Sequence, residues 1–345
     1  MSATSDPSAS PVPDHPVAAQ PGAAHRDPAH LDPAHPEIDG AWLRPAIASP
    51  AEPRWGHASG LHIGIHPTPG PRGLLRVYTP YLEHPRERLI NFIAVEPIVA
   101  GATDRGLSEL EPSTLDAGER GKRFWSADSL AAAVTPGDPV SPARGTIEQI
   151  DGVEHLTVWI GVERFDSGAD VAVRVRFRAD RPHEVEVAGF AHDDSAPLDH
   201  LILTATMGNW ARLRHLHLAD RVVHPRDLWP GFERTDFTAH GRFPLAELRR
   251  EGRAAVVTAV GDEVDPFAVT YSDDTAQHWH FEGGLAVQGW RVDDPHPDLE
   301  VRVNGRWAYW ASTSPIPGGV AYENFEVVEP FRQGAAFRFS VEPLA

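Results

Sequence analysis

Acid–base side chains recur at alternate positions in three stretches of this chain, and alternation is how a β-strand brings side chains onto one face. In Leu213-Arg214-His215-Leu216-His217-Leu218 the two histidines fall on one side and Leu216 and Leu218 on the other. The leucines belong in a core, so the histidines are left facing a cleft or solvent. Imidazole is the side chain whose ordinary pKa suits proton transfer near neutrality, so His215 and His217 are the candidate proton carriers. Trp210, Arg212 and Arg214 lie beside them as candidate substrate-binding groups.

The second stretch is Ala321-Tyr322-Glu323-Asn324-Phe325-Glu326-Val327. On a regular strand Glu323 shares a face with Phe325 and Val327. A carboxyl in apolar company is held neutral and can act as a general acid or base. Tyr322, Asn324 and Glu326 fall on the other face, offering an aromatic surface, an amide and a carboxylate. In the third stretch, His278, His280 and Glu282 would share one strand face and could supply nitrogen and oxygen ligands to Zn²⁺ or Fe²⁺. His-x-His pairs arise easily among 19 histidines, so the favoured reading has no metal or other cofactor, with this trio as the alternative. A long polar segment from Arg105 to Trp125 ends in Arg123, Phe124 and Trp125, and is expected to wall a cleft with Arg123 and Trp125.

The elements that must position these groups are strands. From Trp55 onward, short apolar or alternating runs recur between Gly, Pro and Asp, and one segment alone, Leu245–Glu251 after Pro244, reads as helical. The pattern predicts an all-β fold, a large two-sheet antiparallel β-sandwich with very little helix. Asn304-Gly305 between alternating residues predicts a type I′ hairpin. A second hairpin pairs Val171–Ala179 with the run from Glu184, setting Arg176 opposite Glu186. Its three arginines, Arg174, Arg176 and Arg178, share a face on which the glutamates offset them. Residues 1–54 are rich in Pro, Ala and His, and repeat Asp-Pro-Ala-His at 27–30 and 32–35. They are expected to be disordered, with residues 55–345 forming a single large domain.

With 49 acidic against 31 basic residues the net charge is −18, the wrong sign for nucleic acid or an anionic membrane. No apolar run is long enough to span a bilayer, and the N-terminus lacks the basic and apolar regions of a secretion signal. The expected location is the cytoplasm. The absence of cysteine excludes disulfides and thiolate chemistry. No phosphate-binding glycine loop and no nucleophile elbow is present. Ten tryptophans are more than a chain this long usually carries; most belong in a core, and one or two would suit stacking on sugar rings.

An all-β domain with paired histidines on a mid-chain strand and a glutamate on a late one resembles the galactose-mutarotase-like supersandwich group, which contains aldose 1-epimerases and many polysaccharide-acting enzymes. The resemblance implies a mid-chain histidine as acid and a late glutamate as base at an anomeric centre; His217 (or His215) and Glu323 are the matching positions in chain order. The expected function is therefore that of a carbohydrate-active protein working by general acid–base catalysis at an anomeric centre or glycosidic linkage. The alternatives are a non-catalytic carbohydrate-binding or scaffolding module and a metal-dependent enzyme using the His-x-His pairs.

Overall fold

Alternation of small β-branched and polar residues gives strands through most of the fold: 45% of the described residues are strand and 6% helix. The computed structural model describes residues 37–46, 52–65, 72–83, 89–138, 141–206 and 211–344. Two antiparallel sheets pack face to face. Sheet I runs in the order Glu37–Asp39, Trp42–Arg44, Arg54–His57, His62–Gly64, Leu74–Tyr78, Leu89–Val99, Leu198–Thr206, Ala321–Val328, Glu300–Arg306, Gly241–Pro244. Sheet II runs Val222–Val223, Leu213–His217, Ala254–Gly261, Ala286–Val292, Ala336–Pro343, Glu184–Ala191, Val171–Arg178, Val153–Val162, Phe124–Ala127. The expected all-β sandwich is what forms.

One core lies between the sheets. Ile63, Leu75, Val77, Val95, Leu203, Phe325 and Val327 from sheet I meet Val158, Val173, Val175, Val187, Trp290 and Phe339 from sheet II, all 3% exposed or less. Each such side chain contributes roughly 1.5–3 kcal/mol when buried. Polar ties cross the gap as well. The Trp290 indole donates to Phe325 O at 2.9 Å, and the Tyr322 hydroxyl donates to Val223 O at 2.9 Å.

Three expectations are corrected. Sheet I begins before Trp55: Glu37–Asp39 and Trp42–Arg44 are already strands, because Trp42 is fully buried and its indole donates to Glu154 at 2.6 Å. Residues 1–36 lie outside the described residues. Leu245–Glu251 is a single 3₁₀ turn, Leu245–Glu247, followed by the strand Arg249–Glu251; a lone Pro at the start does not extend a segment that pairs with Ala254–Gly261. Asn304-Gly305 is not a turn. It sits inside the strand Glu300–Arg306, where a Cβ on Gly305 would lie 2.7 Å from Ala321 O and 2.8 Å from Val320 Cγ1. That glycine serves a close strand approach rather than positive φ. The hairpin from Val171 keeps its expected register, with Arg176 opposite Glu186.

The segment that links the sheets after Leu89–Val99 is pinned at both ends. It first lies along the end of that strand: Gly106 N donates to Pro97 O, Ser108 N to Val95 O, and the Ser108 hydroxyl to Gly73 O at 2.6 Å. Gly73 has φ +68°, and a Cβ there would stand 1.9 Å from Ser108 O, so glycine is required. Further along, Glu163 accepts from Ser113, Thr114, Leu115 and Arg123, stapling the segment to sheet II.

Candidate functional site

The outer face of sheet I, away from the core, is buried yet polar. Its centre is built by a bulge. The register between Glu300–Arg306 and Ala321–Val328 shifts between Val303/Phe325 and Gly305/Tyr322, so Glu323 and Asn324 together oppose Asn304. Two adjacent side chains are thereby turned off the core face, which is what bulges do beside functional sites. The Asn304 side chain completes the ladder there, accepting from Asn324 N at 3.1 Å. Tyr322, Phe325 and Val327 face the core, and Glu326 faces outward among polar groups. This corrects the regular alternation expected of the strand, which grouped Glu323 with Phe325 and Val327, and Tyr322 with Asn324 and Glu326. Tyr322 is fully buried with its hydroxyl tied to Val223 O, so it is a core residue rather than a ligand contact.

Around the bulge stand three carboxyls, each 4% exposed or less: Glu96, Glu323 and Glu326. Arg105 bridges two of them. Its Nη1 donates to Glu96 at 2.5 Å and to Glu326 at 2.8 Å, and its Nη2 to Glu326 at 3.1 Å. The His240 ring nitrogen Nε2 lies 3.3 Å from Glu326 and 3.5 Å from the Asn304 amide. One guanidinium cannot neutralise two carboxylates, so the pair divides its protons. Burial pushes the Glu96 carboxyl up to about 8, against the pull of Arg105 and with the help of the Glu326 charge. Burial would raise Glu326 too, but His240 and Arg105 overcome it and hold that carboxyl down to about 2. Glu323 is raised by burial to about 8, opposed by Arg306 and reinforced by Glu109. Near neutral pH the site therefore holds a neutral carboxylic acid at Glu323 and an ionised carboxylate at Glu326, three residues apart on one strand. Divergent pKa values of this kind are how one site supplies both an acid and a base.

The mouth of the site is aromatic. Phe237 and Trp310 are 38% and 50% exposed, their ring centroids 6.1 Å apart, and the Arg306 guanidinium carbon lies 4.9 Å and 5.1 Å from the two rings. The Arg306 charge acts on Glu323, and Gly305 pairs with Tyr322 beside it, so the aromatic pair and the acid share one end of the strand Glu300–Arg306.

The other expected site residues lie elsewhere. His215 and His217 do stand on the face of their strand opposite the buried Leu213 and Leu216, but that strand is in sheet II. Neither histidine is among the groups that shift Glu323, so the expected His217–Glu323 proton-transfer pair is not brought together. The His217 pKa is lowered by burial, His215 and Arg249, which leaves it neutral in ordinary buffers. Arg212 and Arg214 are 0% and 1% exposed. Arg212 donates to Glu263, Tyr271 Oη and Pro266 O, and Arg214 to Asp262, Glu263 and the carbonyls of Pro317, Gly319 and Val320. Their nitrogens tie two loops together and are not available to a substrate. Trp210 lies outside the described residues. Arg123 and Trp125 are at the far edge of sheet II from His217: Arg123 donates to Gly137 O, and Trp125 is buried with its indole on Ala133 O.

The expected metal trio is also dispersed. Gln277–Trp279 is a 3₁₀ turn rather than a strand, so His278, His280 and Glu282 do not share a strand face; the His280 ring stacks on Tyr271 at 4.0 Å. Among the described residues the single convergent group is His215, His224 and Asp262, with ligand atoms within 4.8 Å of one another. His224 is already committed there. Its Nδ1 accepts from Arg226 N at 3.2 Å, so its Nε2 carries the proton and donates to Asp262 at 2.7 Å. A protonated Nε2 cannot ligate a metal, and the set fits none without breaking that bond.

Alternation flagged Glu323, Asn324 and Glu326, and the polar segment flagged Arg105 and Glu109. Glu96, His240, Asn304 and Arg306 were missed. Glu96 carried a usable signal, being the one charged residue in the apolar run Ile93-Ala94-Val95-Glu96-Pro97-Ile98-Val99. No family model, curated protein or solved structure matches this chain. No helix among the described residues is long and apolar enough to cross a membrane.

Proposed function

We propose that this protein is a carbohydrate-active enzyme using general acid–base catalysis on the outer face of sheet I, with Glu323 as proton donor and Glu326 as base. The observation that carries the reading is the opposed protonation of two glutamates on one bulged strand, beside an exposed aromatic pair. A sugar ring needs a flat apolar surface and hydrogen-bonding partners for its hydroxyls. Phe237 and Trp310 offer the first; Asn324, Asn304 and His240 offer the second. At an anomeric centre, Glu323 gives its proton to the ring or glycosidic oxygen as the C1–O bond breaks. Glu326 takes a proton from the anomeric hydroxyl or from water. His240, in contact with Glu326, is positioned to pass that proton to solvent. Arg105 keeps Glu326 ionised before each turnover. The mutarotase-like resemblance makes Glu323 the base and His217 the acid; in this reading Glu323 is the acid, Glu326 is the base, and His240 is the histidine of the site.

The test pairs binding with turnover. A glycan array identifies a ligand; mutarotation, release of reducing ends and formation of unsaturated product are then followed with that ligand. Glu323→Gln is expected to bind it within a few-fold of wild type and to lose about 10²–10⁴ in rate. A variant with unchanged turnover removes Glu323 from the mechanism. A wild-type protein that binds the glycan with no turnover in any assay is a binding module, the reading favoured by Arg105 already bridging Glu96 and Glu326 into a rigid floor.

A further inference from the structure

We infer that Arg306 is a seat for one carboxylate, and hence that the sugar this site takes is a uronic acid or a glycan ending in one. The inference rests on the proposed sugar-binding function and goes beyond it in naming the class. Arg306 is 6% exposed, and among the described residues the one acceptor its guanidinium meets at hydrogen-bond distance is Ala308 O, 3.2 Å from Nε. Among the described residues no Asp or Glu oxygen lies within ion-pair distance of it; Glu323 and Asp236 act on it at longer range. A buried cation without a counter-ion is costly, and Arg105, the other arginine of the site and only half-buried, is matched by Glu96 and Glu326. The Nε bond and the neighbouring rings of Phe237 and Trp310 hold the guanidinium in place while its Nη edge makes no hydrogen bond among the described residues. That edge is the fork that matches a carboxylate.

Charge arithmetic selects a monoanion. Glu326 is balanced by Arg105 and Glu323 is neutral below pH about 8, so the site carries one unmatched positive charge. A phosphate dianion would overfill it beside Glu326 and Asp236. A net charge of −18 also disfavours long polyanions and favours a single acidic residue at a chain end. On a pyranose the C6 carboxylate projects from the ring edge, so a ring stacked on Phe237 or Trp310 can offer it to the guanidinium beside them.

The experiment is titration calorimetry on the full chain with matched probes: methyl glucuronide, methyl galacturonide, the corresponding neutral glycosides, the uronate methyl esters and the 6-sulfated glycosides. At least one uronide is expected to bind about tenfold or more tighter than its neutral and esterified partners, the worth of a charge-assisted bidentate contact. Arg306→Gln is expected to erase that preference, bringing the ratio of uronide to neutral-glycoside affinity to about one; Arg306→Lys is expected to keep part of it. Equal affinity for uronide and neutral glycoside, or a preference that survives Arg306→Gln, overturns the inference while the sugar reading stands. Tighter binding of the sulfated probe overturns the carboxylate assignment. Binding of no probe overturns both readings. If Arg306→Gln fails to fold, the wild-type comparison of uronide with methyl ester decides alone.

Discussion

At the edge of sheet II, Arg214 spends its guanidinium on two carboxylates and three carbonyls; on the outer face of sheet I, Arg306 donates to one carbonyl and faces no counter-ion among the described residues. Both are buried. The first cluster is a saturated network, in which His224, Asp262, Glu263 and Arg214 satisfy one another. The second is unbalanced: three buried carboxyls, one bridging arginine and one unmatched arginine. Saturation makes a joint, and imbalance leaves interaction energy for a ligand. By sequence the two look alike, since each puts arginine and acid–base residues on a strand, and on that basis the histidine strand was the stronger candidate.

The sharpest way to break this contrast is to remove each arginine. Arg214→Ala strands three carbonyls and leaves Asp262 to His224 and Glu263 to Arg212, and is expected to cost about 3 kcal/mol of stability, read from the urea midpoint. Arg306→Gln gives up cation–π contacts with two rings but also removes an unpaired buried charge, so its stability is expected to stay within about 1 kcal/mol of wild type. Equal losses would mean that Arg306 is a structural joint like Arg214.

A smaller effect separates the clusters by pH. Glu96 and Glu323 are raised to about 8 in the folded protein, so folding favours their protonated forms. Their contribution to stability is complete below the unfolded value of about 4.3 and is lost as pH rises toward 8. Glu326, held at about 2, works the other way: its contribution is present above the unfolded value and is lost as pH falls toward 2. Thermal midpoints measured from pH 5 to pH 8 should therefore fall, and Glu96→Gln should flatten about half of that fall. A wild-type midpoint that rises across this window would show that the carboxyls are ionised when buried.

Legibility from sequence followed the same division. The fold was readable because strand periodicity and the near absence of helix signal are local facts; Val173, Val175 and Phe177 alternate inward as their spacing implies. The site was only half readable. Glu323, Asn324 and Glu326 were visible as residue types, but a bulge decides which way they point, and its cause, Asn304 filling the ladder with Gly305 admitting Ala321 close by, lies on another strand. The same Asn-Gly pair suggested a turn because turn propensity is local and strand approach is not. Arg105 and His240 reach Glu326 from 221 and 86 residues away in the chain, and no spacing rule joins such positions. Arg212 and Arg214 looked available because their acceptors sit in two distant loops.

The smallest expected effect concerns metal, and it tests whether the saturated cluster is truly closed. His215, His224 and Asp262 come near enough to suggest zinc, and a site that bound it only in the folded state would stabilise the protein by RT ln(1 + [Zn²⁺]/Kd), about 2.7 kcal/mol at a hundredfold excess over Kd. To ligate through Nε2, His224 must move its proton to Nδ1, which then can no longer accept from Arg226 N at the start of the helix Pro225–Leu228. Losing that cap costs about 1 kcal/mol, and Asp262 must also exchange the His224 proton for the ion while still serving Arg214. Each step opposes binding, so micromolar zinc is expected to leave the thermal midpoint of tag-free protein unchanged. A midpoint that climbs steadily with the logarithm of zinc concentration, and stops climbing in His215→Ala, would show that the network opens to admit an ion. The contrast between a closed joint and an open site would then have to be redrawn with metal chemistry at the edge of sheet II.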